Sequence, residues 1–464
     1  MEKWLAAALD YVPQWLEFQL RALDRPGCSV AIMHRGQLVF ERAFGSADLG
    51  TGAKLTPRHR FRVASHSKSF TAAAILKLRE QGKLRLDDPV GCYVEGLHRD
   101  IAAATIQQLL SHSAGIIRDG FDGGQWTDRR PFLSAAEIRK DLRGKPVIEA
   151  NTRFKYSNHG YALLGLAMEQ ITGDSYAVWM KREIVDAAGL TETRPDMPLP
   201  KVVRLASGHS GKLLLGRRVI IPGRNPTNAL APATGFVSTA ADMARFYAQL
   251  SPKAKTSILS VPSRREMVRR QWRDESAAIE SYYGLGVGSG ALNGWDWFGH
   301  GGGFQGFITR TAVFHSQDIA ISVLTNSTDG LAGPWLDGIV HILQGFQKHG
   351  APTPRVRPWA GRWWSPWGGA VDMLPMGNRV LAATPAFFNP LLDASELELT
   401  GRDRAKIVKA NGTASHGESV RLLRNKAGRT TELHFAASRM LPEAKVAAEM
   451  RAPYEGGKRR RRKA

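Results

Sequence analysis

The stretch that decides the fold of this chain is FRVASHSKSFTAAAILKLREQGK, residues 61–83. Its second half is rich in alanine and leucine, which favour helices, and Gly82 is typical of the position just past a helix end. The pattern therefore predicts a helix that begins near Ser65. Ser65 and Lys68 are three positions apart, and helical side chains at this spacing lie on one face within reach of each other.

A serine and a lysine in this arrangement suit nucleophilic catalysis. A serine hydroxyl is a weak nucleophile until a neighbouring base takes its proton, and a lysine whose pKa is lowered by burial can be that base. The positive end of the helix dipole also favours an anion that develops there. The alternative is that Ser65 only caps the helix and Lys68 is an exposed surface lysine. The remainder of the chain has to decide between the two.

Composition excludes several classes of protein. The chain has 464 residues, 43% of them hydrophobic, and a net charge of +22. Six of its basic residues form a run at 458–463. Such a tail can bind polyanions weakly, but no nucleic-acid-binding module is recognisable, so specific nucleic-acid binding is not expected.

The two cysteines provide neither a disulfide framework nor the spacing of a zinc site. We expect no metal and no cofactor.

The first 20 residues predict an amphipathic helix. Their one short apolar run, at 4–9, is interrupted by Asp10 and Pro13. A secretory signal would show a basic start, an apolar run and a small-residue cleavage site. No run of about 18 apolar residues, as a membrane-spanning helix needs, occurs in the chain. We therefore expect a cytoplasmic protein without a membrane partner.

Strand patterns near both ends of residues 25–345 enclose a helical middle. Residues 28–34 and 37–44 predict a hairpin, and residues 307–314 and 319–326 predict paired strands. The first and last segments should therefore share one antiparallel sheet, flanked by helices and a helical subdomain. This predicts an α+β fold.

The residue pattern of the sequence changes after a proline-containing linker at 348–354. Short β-like runs separated by turn residues then predict a small antiparallel β-barrel. We accordingly expect three regions: a main domain over residues 1–347, a barrel over 355–443, and a basic, disordered tail over 444–464.

His112 lies in a Ser-His-Ser turn that follows a short predicted helix. A histidine in such a turn is interpreted as a buried, hydrogen-bonded structural residue, with a catalytic role as the alternative.

Three motifs follow one another along the chain: Ser65-x-x-Lys68, Tyr156-Ser157-Asn158, and His300-Gly301-Gly302 followed by Gly303. Their order matches the serine acyl-enzyme template. The chain resembles the serine β-lactamase and penicillin-binding-protein superfamily. It is most similar to the class C branch, which includes D-aminopeptidases, class C β-lactamases and related esterases.

The resemblance implies a role for each motif residue. Ser65 would be the nucleophile and Lys68 the partner that lowers its proton affinity. Tyr156 would be the general base and later the acid, with its pKa lowered by nearby positive charge. Asn158 would hold either the substrate carbonyl or the Lys68 side chain. The backbone N–H groups of Ser65 and Gly303 would form the oxyanion hole.

The third motif departs from that of the β-lactamases and penicillin-binding proteins, because His300 stands where they have lysine. Histidine, with a reference pKa near 6.5, is mostly neutral at pH 7, and any binding of carboxylates should weaken as the pH rises through its pKa. His300 and Gly302 would line a substrate site of the D-aminopeptidase kind, in which the substrate offers a free amine.

The sequence thus predicts a serine hydrolase that acts on a small-molecule or short-peptide substrate, most similar to a D-aminopeptidase or small-amide hydrolase. An esterase or weak β-lactamase of the same fold is one alternative. A catalytically idle ligand-binding relative is another. The identity of the substrate and the oligomeric state are left open.

Overall fold

The structure, a computed structural model, describes residues 1–212, 216–367, 369–410 and 415–455. The chain divides into two compact units. The first, called the main unit, is Asp24–Leu336, and the second, called the terminal unit, combines Met1–Leu23 with Asp337–Ala464. Among the described residues, no helix combines the length and apolar composition needed to cross a bilayer.

The helices of the described chain lie mostly in the main unit. In chain order they are α1 Lys3–Ala22, α2 Ser67–Glu80, α3 Arg99–Ala102, α4 Ile106–Leu110, α5 Ala135–Asp141, α6 Asn158–Thr172, α7 Tyr176–Met180, α8 Ala231–Thr234, α9 Ala240–Leu250, α10 Val261–Val268, α11 Ala332–His349 and α12 Glu443–Glu455. Single 3-10 turns occur at Ala64–His66, Val90–Cys92, Gly124–Thr127, Asn228–Leu230 and Arg357–Trp359, and a π-helical turn at Lys181–Asp186.

The strands of the main unit are β1 Gly27–His34, β2 Gln37–Asp48, β3 Ala53–Lys54, β4 Phe61–Arg62, β5 Gly208–His209, β6 Ile220–Ile221, β7 Val237–Ser238, β8 Trp272–Arg273, β9 Ser281–Tyr283, β10 Gly288–Leu292, β11 Trp295–Phe304, β12 Phe307–Phe314 and β13 Ile319–Thr325. Those of the terminal unit are β14 Gly361–Trp364, β15 Ala370–Met376, β16 Arg379–Ala383, β17 Ser395–Leu399, β18 Arg404–Lys409, β19 Ser419–Arg424, β20 Thr430–Phe435 and β21 Ser438–Met440.

The main unit is built on an antiparallel sheet. Within its described residues nine strands pair in the order β3-β2-β1-β13-β12-β11-β10-β9-β8. Strands from the start and the end of the unit meet where β1 pairs with β13, for example Val30 with Val323. Both strands are buried along their whole length, as expected of central strands rich in branched apolar residues. The predicted α+β fold with a shared antiparallel sheet is confirmed.

Helix α2 runs through the interior of the helical part. Apart from Lys77, every residue from Ser67 to Leu78 is buried. Its alanines allow close approach of neighbouring elements, because a methyl group takes little space. One close contact of this region is at Gly165 of α6, where an added Cβ would lie 2.3 Å from the Pro232 side chain. The nucleophile segment is therefore mounted on a rigid, buried helix.

The terminal unit contains the predicted barrel. Its described residues form eight antiparallel strands in sequential order from β14 to β21. The first and last strands approach each other through Trp364 and Leu441, whose backbones exchange hydrogen bonds of 2.8 and 2.9 Å. The barrel is thereby nearly closed.

Helix α1 belongs to the terminal unit, whereas the sequence grouped it with residues 24–347. It forms direct hydrogen bonds with the barrel segment. The Tyr11 hydroxyl donates to Asp372 at 2.8 Å, and the Gln19 amide donates to the Pro385 carbonyl at 2.6 Å. Such contacts over more than 350 residues have no signature in local sequence.

The tail prediction requires a correction. Disorder was expected from residue 444 onward, yet Glu443–Glu455 is helix α12. The segment EAKVAAEM is rich in strong helix formers, which explains the helix. The basic run at 458–463 lies outside the described residues.

Candidate active site

The Ser65 side chain does not cap the following helix. Strand β4 leads into a 3-10 turn at Ala64–His66, which Ala64 enters with a positive φ of 51°. Helix α2 then begins at Ser67, and its N-cap position, His66, forms no side-chain capping bond. The N-cap interpretation of Ser65 is therefore wrong, and its half-buried hydroxyl is available to other groups.

Lys68 is fully buried, so the interpretation as a surface lysine is also wrong. Its Nζ donates to Asn158 Oδ1 at 2.6 Å and to the Ala233 carbonyl at 2.9 Å, and it lies 3.3 Å from Ser65 Oγ. Burial lowers the pKa of Lys68 well below its usual range, because desolvation disfavours the charged ammonium. A lysine whose pKa is lowered is more readily present in its neutral, proton-accepting form.

Tyr156 places its hydroxyl on the same serine. The hydroxyl donates to Ser65 Oγ at 2.9 Å, and Lys68 Nζ lies 4.7 Å from the centre of the phenol ring. Burial raises the pKa of Tyr156, and this outweighs the bond to Ser65, which lowers it. The expectation that nearby positive charge would lower this pKa overall is wrong, because burial also outweighs the lowering effect of the Arg118 charge. The phenol at rest is protonated and acts as a donor.

Asn158 contacts the Lys68 side chain, which is one of the two roles expected for it. Its Oδ1 accepts from Lys68, while its Nδ2 donates to Asp119 Oδ1 at 2.5 Å. Asp119 thereby determines which end of the Asn158 amide faces the lysine. Sequence reasoning missed Asp119, since it lies in a polar loop 39 residues upstream and is brought here only by tertiary structure.

The third motif lies on β11, close to the nucleophile segment. An added Cβ at Gly302 would come within 2.2 Å of the Val63 carbonyl oxygen, so only glycine permits this approach. Gly303 is paired with Ile308 of β12 and lines the same cleft as Ser65. The two backbones proposed as oxyanion donors thus meet at one cavity.

His300 also lines this cleft, but as a buried, neutral group. Its Nδ1–H donates to the Gly301 carbonyl at 2.6 Å, and its Nε2 accepts from the Tyr283 hydroxyl at 2.9 Å. Burial lowers the pKa of His300 to about 3. The side chain is therefore neutral at pH 7, as expected, but the expected titration near pH 6.5 is wrong.

The cleft has a volume of about 430 Å³ and contains charged groups that the motifs did not reveal. Arg310 on β12 packs over the Trp297 ring, with its guanidinium carbon 4.3 Å from the ring centre. Arg118 is 63% exposed and pairs with Asp119 at 3.0 Å. Asp274 lines the cleft as well. Alternation along β12 could have placed Arg310 on one face of the sheet, but only the fold shows that this face is the cleft wall.

Within the described residues, no three His, Cys, Asp or Glu side chains are grouped so as to hold a metal ion.

The chain was compared with protein families and with known proteins. The family model described as Beta-lactamase matches residues 14–338. The chain belongs to the beta-lactamase family. Its fold is that of the β-lactamase-like serine hydrolases, and the match covers the three motifs and the sheet that carries the third.

Two curated relatives of this beta-lactamase-family chain differ in how much of each sequence the match covers. Penicillin-binding protein 4 of Amycolatopsis lactamdurans is 29% identical over 350 residues, 71% of this chain and 88% of that protein. Protein flp of Staphylococcus aureus (strain MRSA252) is 30% identical over 185 residues, 38% of this chain. The chain matches only 36% of the length of protein flp.

Solved structures share the fold. The octameric penicillin-binding protein homologue from Pyrococcus abyssi has a TM-score of 0.65 at 22% identity, covering 94% of this chain and 100% of that one. The D-amino acid amidase from Ochrobactrum anthropi SV3, complexed with L-phenylalanine amide, has a TM-score of 0.64 at 22% identity. That match covers 73% of this chain and 98% of the amidase. At this level of identity the likeness concerns the fold.

Proposed function

We propose that this protein hydrolyses an amide bond of a small substrate with a free amino group, through an acyl-enzyme at Ser65. The single observation that carries the proposal is the convergence of two groups on one hydroxyl. Lys68 Nζ lies 3.3 Å and the Tyr156 hydroxyl 2.9 Å from Ser65 Oγ, at the edge of a cleft.

The contacts of Lys68 explain how it acts as the base. A neutral amine has two hydrogens and one lone pair. Asn158 Oδ1 and the Ala233 carbonyl can only accept, so they take the two hydrogens. The lone pair is then left for the Ser65 hydroxyl. The amide orientation imposed by Asp119 is what makes Asn158 an acceptor here.

The reaction follows from this network. Ser65 passes its proton to Lys68 while Oγ attacks the substrate carbonyl carbon, and the backbone N–H groups of Ser65 and Gly303 hold the oxyanion. When the C–N bond breaks, the Tyr156 hydroxyl protonates the leaving nitrogen, and the proton held by Lys68 replaces the one that Tyr156 has given. Water then attacks the ester carbonyl, giving the acid and free Ser65.

The preference for an amine rests on the charges of the cleft. Neutral His300 supplies no cation, and the Asp274 carboxylate, whose Oδ1 accepts from Ser276, carries a negative charge that would attract an ammonium group. The shared fold of the Ochrobactrum anthropi D-amino acid amidase is consistent with this assignment.

A second candidate has its own supporting observation. Arg310 is a permanent cation in the same cleft, and a guanidinium favours a carboxylate. A substrate with a free carboxylate, such as a β-lactam or a short peptide, is therefore the alternative. An uncharged ester would need neither Asp274 nor Arg310.

The test is a panel of D-phenylalanine amide, a short-chain ester and a penicillin, combined with a fluorophosphonate probe. We expect the amide to be hydrolysed fastest at pH 7 to 8 and the probe to label Ser65. Faster hydrolysis of penicillin would favour the second candidate. A folded protein that neither labels nor turns over any of the three would be an idle binding relative. The cytoplasmic location stays a prediction.

A further inference from the structure

His112 occupies an unusual position next to the catalytic segment. It follows helix α4, adopts a positive φ of 59°, and is only 2% exposed. Left-handed backbone is uncommon for residues other than glycine, although asparagine, aspartate and histidine adopt it more often than the rest, and it is kept where the surroundings demand it. The interpretation as a buried, hydrogen-bonded histidine is correct. The identity of its partners gives it a more specific role.

The hydrogen bonds of His112 bracket Tyr156 on both sides. The backbone carbonyl of His112 accepts from the Lys155 N–H at 2.7 Å, and its Nδ1 accepts from the Ser157 N–H at 3.1 Å. Residues 154–157 have no regular secondary structure. The backbone on the two sides of Tyr156 is thus tied to His112, while the Ser157 hydroxyl adds a bond to the Ile117 carbonyl at 2.6 Å.

The imidazole ring also packs on the phenol. The ring centres of His112 and Tyr156 are 4.2 Å apart, with an angle of 35° between the planes. Three further aromatic rings surround the imidazole at 4.9 to 5.7 Å, namely those of Phe154, Tyr161 and Tyr283. One residue thus holds both the backbone and one side of the Tyr156 ring.

The ring nitrogens assign the tautomer. Because Nδ1 accepts the Ser157 N–H, the proton of the neutral ring is on Nε2. Nε2 is buried and has no hydrogen-bond partner among the described residues. Because an unpaired buried polar atom is costly, we expect the buried Nε2–H group of His112 to be retained for a functional reason.

We propose that His112 is a positioning residue that holds the Tyr156 hydroxyl on Ser65, by clamping the backbone on either side of Tyr156 and packing on its ring. This inference rests on the proposed function. A displacement of about 1 Å at the hydroxyl would misalign the proton transfer, and such misplacements can cost on the order of 100-fold in rate.

The test separates the two contacts with a pair of variants. His112→Asn keeps an acceptor near the place of Nδ1 but removes the ring, and His112→Phe keeps a ring but removes the acceptor. For each we expect the rate of Ser65 labelling by the fluorophosphonate, and kcat, to fall about 10- to 100-fold, with KM little changed. Phe132→Leu is the matched control, because it loosens a buried aromatic cluster, with Trp126 and Phe304, whose Phe132 ring does not line the cleft. Its rate should stay within about threefold of wild type.

A double-mutant cycle distinguishes positioning from general stability. If His112 acts through Tyr156, His112→Asn should lower the rate by less than about twofold when Tyr156→Phe is already present. An undiminished effect in that background would overturn the proposal, as would wild-type rates in both His112 variants. Absence of labelling in the wild type would instead refute the proposed function, and the positioning role with it.

A measurement on the wild-type protein covers the case in which the variants fail to fold. Burial lowers the pKa of His112, and the nearby charges of Arg118 and Lys155 act in the same direction. Nitrogen-15 histidine spectra should therefore show a neutral Nε2–H ring from pH 7 to 9. A charged ring, or the Nδ1–H tautomer, would be incompatible with the Ser157 bond and would overturn the proposal.

Discussion

The two walls of the cleft use ionisable side chains in opposite ways. On the catalytic wall, Lys68 and Tyr156 are buried, and desolvation drives both towards their neutral forms. On the facing wall and rim, Arg118, Arg310 and Asp274 are partly exposed. Under the proposed function, the chemistry would use groups whose charge is suppressed by burial, whereas substrate recognition would use groups that stay charged because water solvates them.

The largest effect should come from removing the nucleophile on the catalytic wall. Ser65→Ala should abolish labelling and lower turnover by roughly 10⁴- to 10⁶-fold, because the groups around it act as one unit. Ser67→Ala is the matched control, since the Ser67 hydroxyl donates to the Ala64 carbonyl at 2.6 Å and has no place in the mechanism. Labelling that persists in Ser65→Ala but disappears in Ser67→Ala would reverse the assignment.

The next effect concerns the proton donor of the same wall. Tyr156→Phe should lower kcat by about 10²- to 10⁴-fold, since the ring still fills its space while the hydroxyl on Ser65 is lost. Thermal unfolding should shift by only a few degrees. A variant that unfolds early yet turns over normally would make Tyr156 a structural residue.

Asp119 supports the catalytic wall through its bond to Asn158 and should have an intermediate effect. Asp119→Ala frees the Asn158 amide to rotate and should lower kcat by about 10- to 100-fold. Asp119 also raises the pKa of Lys68, against the larger effect of burial. Its removal should therefore lower that pKa further and move the acid limb of the pH–rate profile to lower pH. A limb that moves to higher pH would contradict the assignment of Lys68 as the base.

On the recognition wall the effects should be smaller and depend on the substrate. Arg310→Gln should weaken the binding of carboxylate substrates by about tenfold and leave the binding of neutral esters unchanged. Only the carboxylate substrates lose a charge-assisted bond. Equal losses for both substrates would mean that Arg310 supports the sheet rather than recognition. In the reverse direction, His300→Lys should shift preference towards carboxylates.

The smallest effect is a predicted absence of pH dependence. Since the pKa of His300 is lowered to about 3, the ring stays neutral from pH 5 to 8. The ratio of rates for a carboxylate and an uncharged substrate should then be flat over this range. A ratio that falls as the pH rises through 6 to 7 would show that His300 is charged in the working enzyme.

Much of the arrangement could be predicted because it is local. Ser65 and Lys68 share a short segment, and their spacing and the alanine-rich helix that follows are visible in the sequence. The antiparallel sheet was likewise predictable from the alternation of residues in its strands. In contrast, nothing local indicated that α1 joins the terminal unit. The helix at Glu443–Glu455 did have a local signal, its strong helix formers, which the expectation of a disordered tail overlooked.

The sequence by itself determined the family, the sheet and the barrel and indicated the candidate catalytic side chains, since motif order and hydrophobic periodicity are properties of short segments. The tertiary structure alone decided the charge states and the supporting residues. Burial sets the pKa of Lys68, Tyr156 and His300, and burial depends on segments far apart in the chain. The same holds for Asp119, Arg310 and the role proposed for His112, because each depends on neighbours that only folding brings into contact.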